Sequence, residues 1–130
     1  MSDELRTRIQ TVIDEEPVAL FMKGTPQQVL CGNSARALGA LRAVGAPVTA
    51  VDVLPDPAIR QELSAISSWP TIPQVFVRGE LVGGADIVEE LAQTGELRQK
   101  LDSALGEGYA GGEEKVVEVS DRPSPFRLVG

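Results

Sequence analysis

The stretch "VALFMK", residues 18–23, constrains the fold more than any other part of this chain. It is a nearly continuous apolar run, and such a run without alternation reads as a strand buried on both faces, the kind a parallel sheet covers with helices on each side. A second run, "VTAVDV" at 48–53, reads the same way. Between them lies an alanine- and leucine-rich segment, 32–44, with Leu38 and Leu41 at helical spacing and Gly45 to close it. Two strands joined through a helix lie parallel.

The flanks complete the pattern. Leu5, Ile9, Val12 and Ile13 line one face of a helix over 3–15, which Pro17 stops. In "DPAIRQEL", Asp56 suits an N-cap and Pro57 the first helical position, so a helix is expected to about Ser67. "PQVFV" at 73–77 and "ELVGG" at 80–84, joined through Arg78 and Gly79, make a hairpin, hence an antiparallel pair. Asp86 and Glu89 fit a capping box that opens a last helix, with Ile87, Leu91, Leu97 and Leu101 inward. The expected architecture is α/β: a four-stranded mixed sheet with helices on both faces, built from residues 1–105. Beyond Leu105, four glycines within 106–112, followed by Pro123 and Pro125, predict a flexible acidic tail over 106–130. Within it "KVVEV", 115–119, is able to add to a sheet as a strand.

Composition narrows the chemistry. A net charge of −7 disfavours nucleic acid phosphates and anionic membranes as general partners. The chain has no histidine, which removes Cys–His pairs, Ser–His triads and the commonest transition-metal ligand. It has one cysteine, Cys31, so no intramolecular disulfide forms. The opening "MSDELRTRIQ" lacks the apolar stretch of a signal peptide, and no run is long enough to span a membrane, so a cytoplasmic setting is expected.

Cys31 follows a loop after the first buried strand and stands at the start of the next helix. A helix N-terminus presents unpaired N–H groups and partial positive charge, which favour thiolate over thiol. Lys23, at the carboxyl end of the strand, is within reach of the same place, and ligands of open α/β sheets gather at the carboxyl ends of strands. Taken alone, a single cysteine is more often a small apolar filler. Its neighbours Gly32, Asn33 and Ser34 are poor company for a buried sulfur and reverse that preference. In "WPTIPQVFV", Pro73 opens a strand and the bond before it is a candidate for cis, which turns the backbone of Ile72 out toward a ligand. In "GGAD", 83–86, two glycines permit close backbone approach, while Asp86 offers a carboxylate to an amine. An edge-strand proline and an ordinary helix cap are the plainer explanations of these two.

Together "MKGTP", "CGNS", "DPAIRQEL", "WPTIPQVFV", "GELVGG" and "ADIVEEL" resemble, in order and spacing across residues 4–105, the monothiol glutaredoxins of the CGFS type, which have the thioredoxin fold. The resemblance implies glutathione as the anionic ligand. Lys23 and Arg60 would then pair with its glycine carboxylate, although each taken singly is better explained as solvated surface charge. The backbone of Ile72 before a cis Pro73 would bond to the tripeptide's cysteine, and Ala85 and Asp86 would hold its γ-glutamyl end. It further implies a [2Fe-2S] cluster shared by a homodimer, each subunit giving the Cys31 thiolate and one bound glutathione thiolate, with transfer to apo iron-sulfur proteins and pairing with BolA-like partners. Two positions depart from the pattern: Asn33 stands for the usual Phe, and Ala85 for a Cys often found after the paired glycines. Two other functions compete with the cluster carrier. One is a glutathione-dependent thiol–disulfide oxidoreductase acting through Cys31, in which free glutathione replaces a resolving cysteine. The other is a thioredoxin-fold adaptor without chemistry.

Overall fold

The computed structural model describes residues 2–122. Helix α1, Ser2–Glu15, leads into strand β1, Val18–Met22, and a miniature hairpin follows, β2 at Gly24–Thr25 and β3 at Gln28–Val29. Helix α2 is Gly32–Ala43, strand β4 is Val48–Asp52, and helix α3 is Pro57–Ser67. Strands β5, Gln74–Val77, and β6, Glu80–Gly83, form the expected hairpin. Helices α4, Ala85–Thr94, and α5, Glu96–Leu105, come next, and a short strand β7, Lys115–Val116, comes last. Among the described residues, no helix is long and apolar enough to cross a membrane.

The main sheet runs β6-β5-β1-β4-β7. As expected, β1 and β4 are parallel, with Val18 opposite Val48 and Met22 opposite Asp52, while β5 and β6 are antiparallel. Because side chains alternate along a strand, β1 feeds two cores. Val18, Leu20 and Met22 pack with Leu38, Leu41, Val88, Leu97 and Leu101 under α2, α4 and α5. Ala19 and Phe21 pack with Ile9, Ile13, Ile59 and Leu63 under α1 and α3. Phe21 meets Phe76 edge to face, ring centroids 5.7 Å apart. That helix-covered burial on both faces is why the apolar run needs no polar alternation.

The sheet has a fifth strand where four were expected. The segment 106–122 returns to the domain: β7 pairs in parallel with β4, placing Thr49 opposite Lys115 and Ala50 opposite Val116. Val119 is fully buried against the α1–α3 core. Tyr109 donates its hydroxyl to the Val44 carbonyl at 3.0 Å, Arg42 pairs with Glu114, and Lys115 pairs with Glu16 at 2.8 Å. An open β4 edge is a template for pairing, and this strap covers it. Residues 123–130 lie outside the described residues.

The last helical region also differs from expectation. A continuous helix from Asp86 past Leu101 is broken at Gly95, whose φ of +87° suits glycine and ends α4 in a left-handed cap. The Asp86–Glu89 capping box does not form. Gly84 is the N-cap, without a side-chain cap, and both carboxylates turn to Arg36 instead. Ile87, expected inward, is 36% exposed, whereas Leu97 and Leu101 are buried as expected.

Candidate functional site

Cys31 is the N-cap of α2, in extended geometry, and its side chain is half-buried. It is delivered there by the β2–β3 hairpin, which pairs Gly24 with Val29 and ends as the Leu30 N–H donates to the Lys23 carbonyl at 3.0 Å. Gly24 is required at this point. Its φ is +94°, and a Cβ would stand 2.3 Å from the Gln28 carbonyl oxygen. A buried carboxylate, Asp52 at the end of β4, fixes the hairpin from beneath by accepting the Gly24 N–H at 3.0 Å and the Leu54 N–H at 2.9 Å.

The thiol of Cys31 is held below its ordinary value. The N–H of Ser34 is the largest cause, aided by the N–H of Asn33, the charge of Lys23 and the Ser34 hydroxyl, and opposed by partial burial. In the resting geometry the sulfur makes no capping hydrogen bond to the helix, so these N–H groups act as a preformed cradle that rewards the ionised form. Ser34 is fully buried, and its Oγ also accepts the Lys23 N–H at 3.1 Å. It therefore ties the strand end bearing Lys23 to the helix bearing Cys31.

Beside this lies a groove of about 340 Å³. Trp69, Thr71, Ile72 and Pro73 supply one wall, Gly84 to Ile87 the other, and Asn33 contributes from α2. The Ile72–Pro73 bond is cis. Among the described residues, Ile72 makes no hydrogen bond to another backbone group, which leaves its N–H and C=O free for an extended ligand. Four residues named from the sequence, Ile72, Pro73, Ala85 and Asp86, thus meet in one groove. Lys23, Cys31 and Arg60 are outside its lining: Lys23 acts on the thiol by its charge, and Arg60 is exposed on α3, donating to the carbonyl of Pro70, between the lining residues Trp69 and Thr71, at 3.4 Å. A larger depression of about 680 Å³ lies between β6 and α5, but no thiol borders it and its rim mixes Arg78 and Lys100 with Glu80 and Glu96. Chemistry, not volume, selects the smaller groove.

Sequence reasoning missed three residues here. Arg36 crosses from α2 to α4, donating to Asp86 and Glu89 at 2.8 Å each and to the Asn33 amide oxygen at 3.2 Å. Flanking Glu89 and Asp86 hold its guanidinium more firmly protonated. Ser34 enters the sequence reading only as a polar neighbour of the sulfur, although a residue three positions after an N-cap faces that cap. Asp52, an acid ending an apolar strand, was the plainest unread signal, since buried carboxylates need partners.

Residues 18–82 match the family model for glutaredoxin. The chain belongs to the glutaredoxin family. With one cysteine, it is a monothiol glutaredoxin. It is 52% identical over 92 residues to glutaredoxin 4 of Escherichia coli K12, covering 71% of this chain and 80% of that protein. It is 44% identical over 99 residues to monothiol glutaredoxin-S11 of rice, covering 76% of this chain but only 20% of that much longer protein. Among solved structures, reduced apo GrxS14 of poplar superposes with a TM-score of 0.70 at 39% identity, covering 78% of this chain and 93% of that one. In this glutaredoxin Asn33 is exposed and engaged by Arg36, so the departure from Phe places a polar amide at the groove rather than an aromatic face.

Proposed function

We propose that this glutaredoxin binds glutathione in the groove and uses its thiol, together with that of Cys31, to carry a [2Fe-2S] cluster between two copies of the chain for delivery to acceptor proteins. The single observation that carries this reading is the placement of one accessible, thiolate-favouring cysteine beside a groove whose wall offers the free backbone of Ile72. Among the described residues, no group of three or more His, Cys, Asp or Glu side chains is disposed to hold a metal ion. With Cys31 its one cysteine, each chain supplies one thiolate, and a four-thiolate cluster needs a second copy and two external thiols.

Glutathione fits the groove chemically. Asp86 would take its amine and the Ile72 backbone its central peptide, while Lys23, whose charge acts on the Cys31 thiol, and Arg60, which reaches the Pro70 carbonyl, are the cations offered to its carboxylate. BolA-like proteins and apo iron-sulfur proteins are the proposed partners, and the cytoplasm the proposed setting, where a lone thiol stays reduced. Anaerobic reconstitution with iron and sulfide tests the reading. Visible absorption should develop only with glutathione present and vanish in Cys31→Ser. A colourless wild-type product in glutathione overturns it.

The half-exposed sulfur also supports a second reading, reduction of glutathione mixed disulfides. The Cys31 thiolate would attack the glutathione sulfur of the mixed disulfide, releasing the protein as thiolate. A glutathione thiolate would then attack Cys31–S–SG, giving oxidised glutathione and regenerating Cys31. Ser34 stands where a resolving cysteine would be, so free glutathione must complete the cycle. Turnover on a glutathionylated peptide without cluster formation would favour this reading.

A further inference from the structure

Gln74 is fully buried at the start of β5, directly opposite Phe21 of the central strand. Burying an amide there is costly, the more so because its Oε1 has no hydrogen-bond partner among the described residues, and an apolar residue of the same length would fill the space without that cost. Both protons are used: Nε2 donates to the Trp69 carbonyl at 2.9 Å and to the Thr71 carbonyl at 3.1 Å.

Those carbonyls belong to the loop that makes one wall of the groove. Two of its residues, Pro70 and Pro73, have no N–H, and among the described residues 69–73 form no backbone–backbone hydrogen bond. Side chains hold this backbone. Ser67 Oγ accepts the Trp69 N–H at 3.1 Å, exposed Arg60 reaches the Pro70 carbonyl at 3.4 Å, and Gln74 alone acts from a fully buried position on a rigid strand.

We propose that Gln74 is a positioning residue for the ligand groove: its carboxamide clamps the carbonyls of Trp69 and Thr71 and so sets where the Ile72 backbone meets the ligand. The inference rests on the groove being the glutathione site. Gln74 does not touch the ligand. It acts through the wall: both hydrogen bonds of its side chain go to the Trp69–Thr71 loop, and it is not among the groups that lower the Cys31 thiol.

The test separates wall from thiol. In Gln74→Met, which keeps length and apolar packing, glutathione Kd measured by calorimetry should rise about tenfold, while Cys31 alkylation by iodoacetamide at pH 7 stays within about twofold of wild type. A folded Gln74→Met with wild-type Kd overturns the proposal, as does a parallel loss of alkylation, which would mean general loosening. Should that variant fail to fold, the wild-type protein decides by NMR. The Gln74 side-chain NH2 protons should exchange far more slowly than those of exposed Gln27 and shift on adding glutathione. Free exchange overturns the clamp. A wild-type protein that binds no glutathione overturns the groove assignment itself, a result distinct from normal wild-type binding that the variant leaves unchanged.

Discussion

Arg36 on α2 and Asp86 on α4 meet at 2.8 Å, across the mouth of the groove that Asp86 helps to line. The carboxylate proposed to receive the γ-glutamyl amine therefore already has a cation, and the two compete for it. Asp86→Asn should weaken glutathione binding by roughly three- to tenfold through loss of a charge-assisted bond. Arg36→Gln should leave binding unchanged or slightly tighter, because it frees the carboxylate. Both effects should shrink as salt rises, since the pair is exposed. Calorimetry at two ionic strengths measures this, and weaker binding in Arg36→Gln would show that the arginine serves the ligand rather than competing with it.

The Cys31 thiol titrates below a free thiol, so at neutral pH its thiolate fraction exceeds that of an unstructured cysteine. The pH profile of iodoacetamide alkylation should have its midpoint below that of an unstructured cysteine measured alongside it. Ser34→Ala removes the hydroxyl and leaves the Lys23 N–H without its side-chain acceptor, so the midpoint should move to higher pH and stability fall by about 1–3 kcal/mol. An unmoved midpoint in Ser34→Ala would assign the effect to the helix N–H groups and Lys23 alone.

Gly24 is the tightest backbone position on the path to Cys31. Gly24→Ala demands a positive φ of +94° from an alanine and drives its Cβ into the Gln28 carbonyl. The β2–β3 hairpin should open, costing about 1–3 kcal/mol and slowing Cys31 alkylation. Urea unfolding gives the first quantity and alkylation the second; normal values for both would show that the hairpin does not position the thiol.

The C-terminal strap carries its own pH dependence. Glu16 is held below the ordinary carboxylate range mainly by its hydrogen bond from Lys115, and Glu114 by its hydrogen bond from Arg42. A carboxyl depressed on folding adds stability that is complete above its unfolded pKa and is lost as pH falls through the folded one. The strap should thus be fully seated at neutral pH and loosen below the ordinary carboxylate range. Hydrogen exchange should show the Lys115–Val119 amides opening on acidification before those of β1. Val119→Ala should cost about 1.6 kcal/mol, from two methylene equivalents. Strap amides as protected as β1 down to global acid unfolding would contradict the account.

Much of this was legible because burial and backbone chemistry are local. The apolar runs at 18–23 and 48–53 report strands covered on both faces, Asp56 does cap α3 by accepting the Ala58 N–H, and the position of Pro73 singled out a bond that is cis. What stayed hidden depends on partners distant in sequence. Asp86 and Glu89 fit a capping box by spacing, yet Arg36, 50 positions before Asp86, takes both carboxylates. A glycine within a helical pattern does not announce a break, and only the φ of Gly95 reveals one. The two-residue strand at Lys115–Val116 has too little pattern to choose a partner, and the open edge of β4 with Glu16 nearby chooses for it. The buried roles of Ser34, Asp52 and Gln74 are hydrogen-bond assignments, which residue identity raises and only geometry answers.

Native mass spectrometry of the protein reconstituted anaerobically with iron, sulfide and glutathione tests the central claim most directly. The expected species is two chains with two irons, two sulfides and two glutathiones, absent when glutathione is withheld. A cluster on a single chain, or one that assembles at full yield without any added thiol, would contradict it.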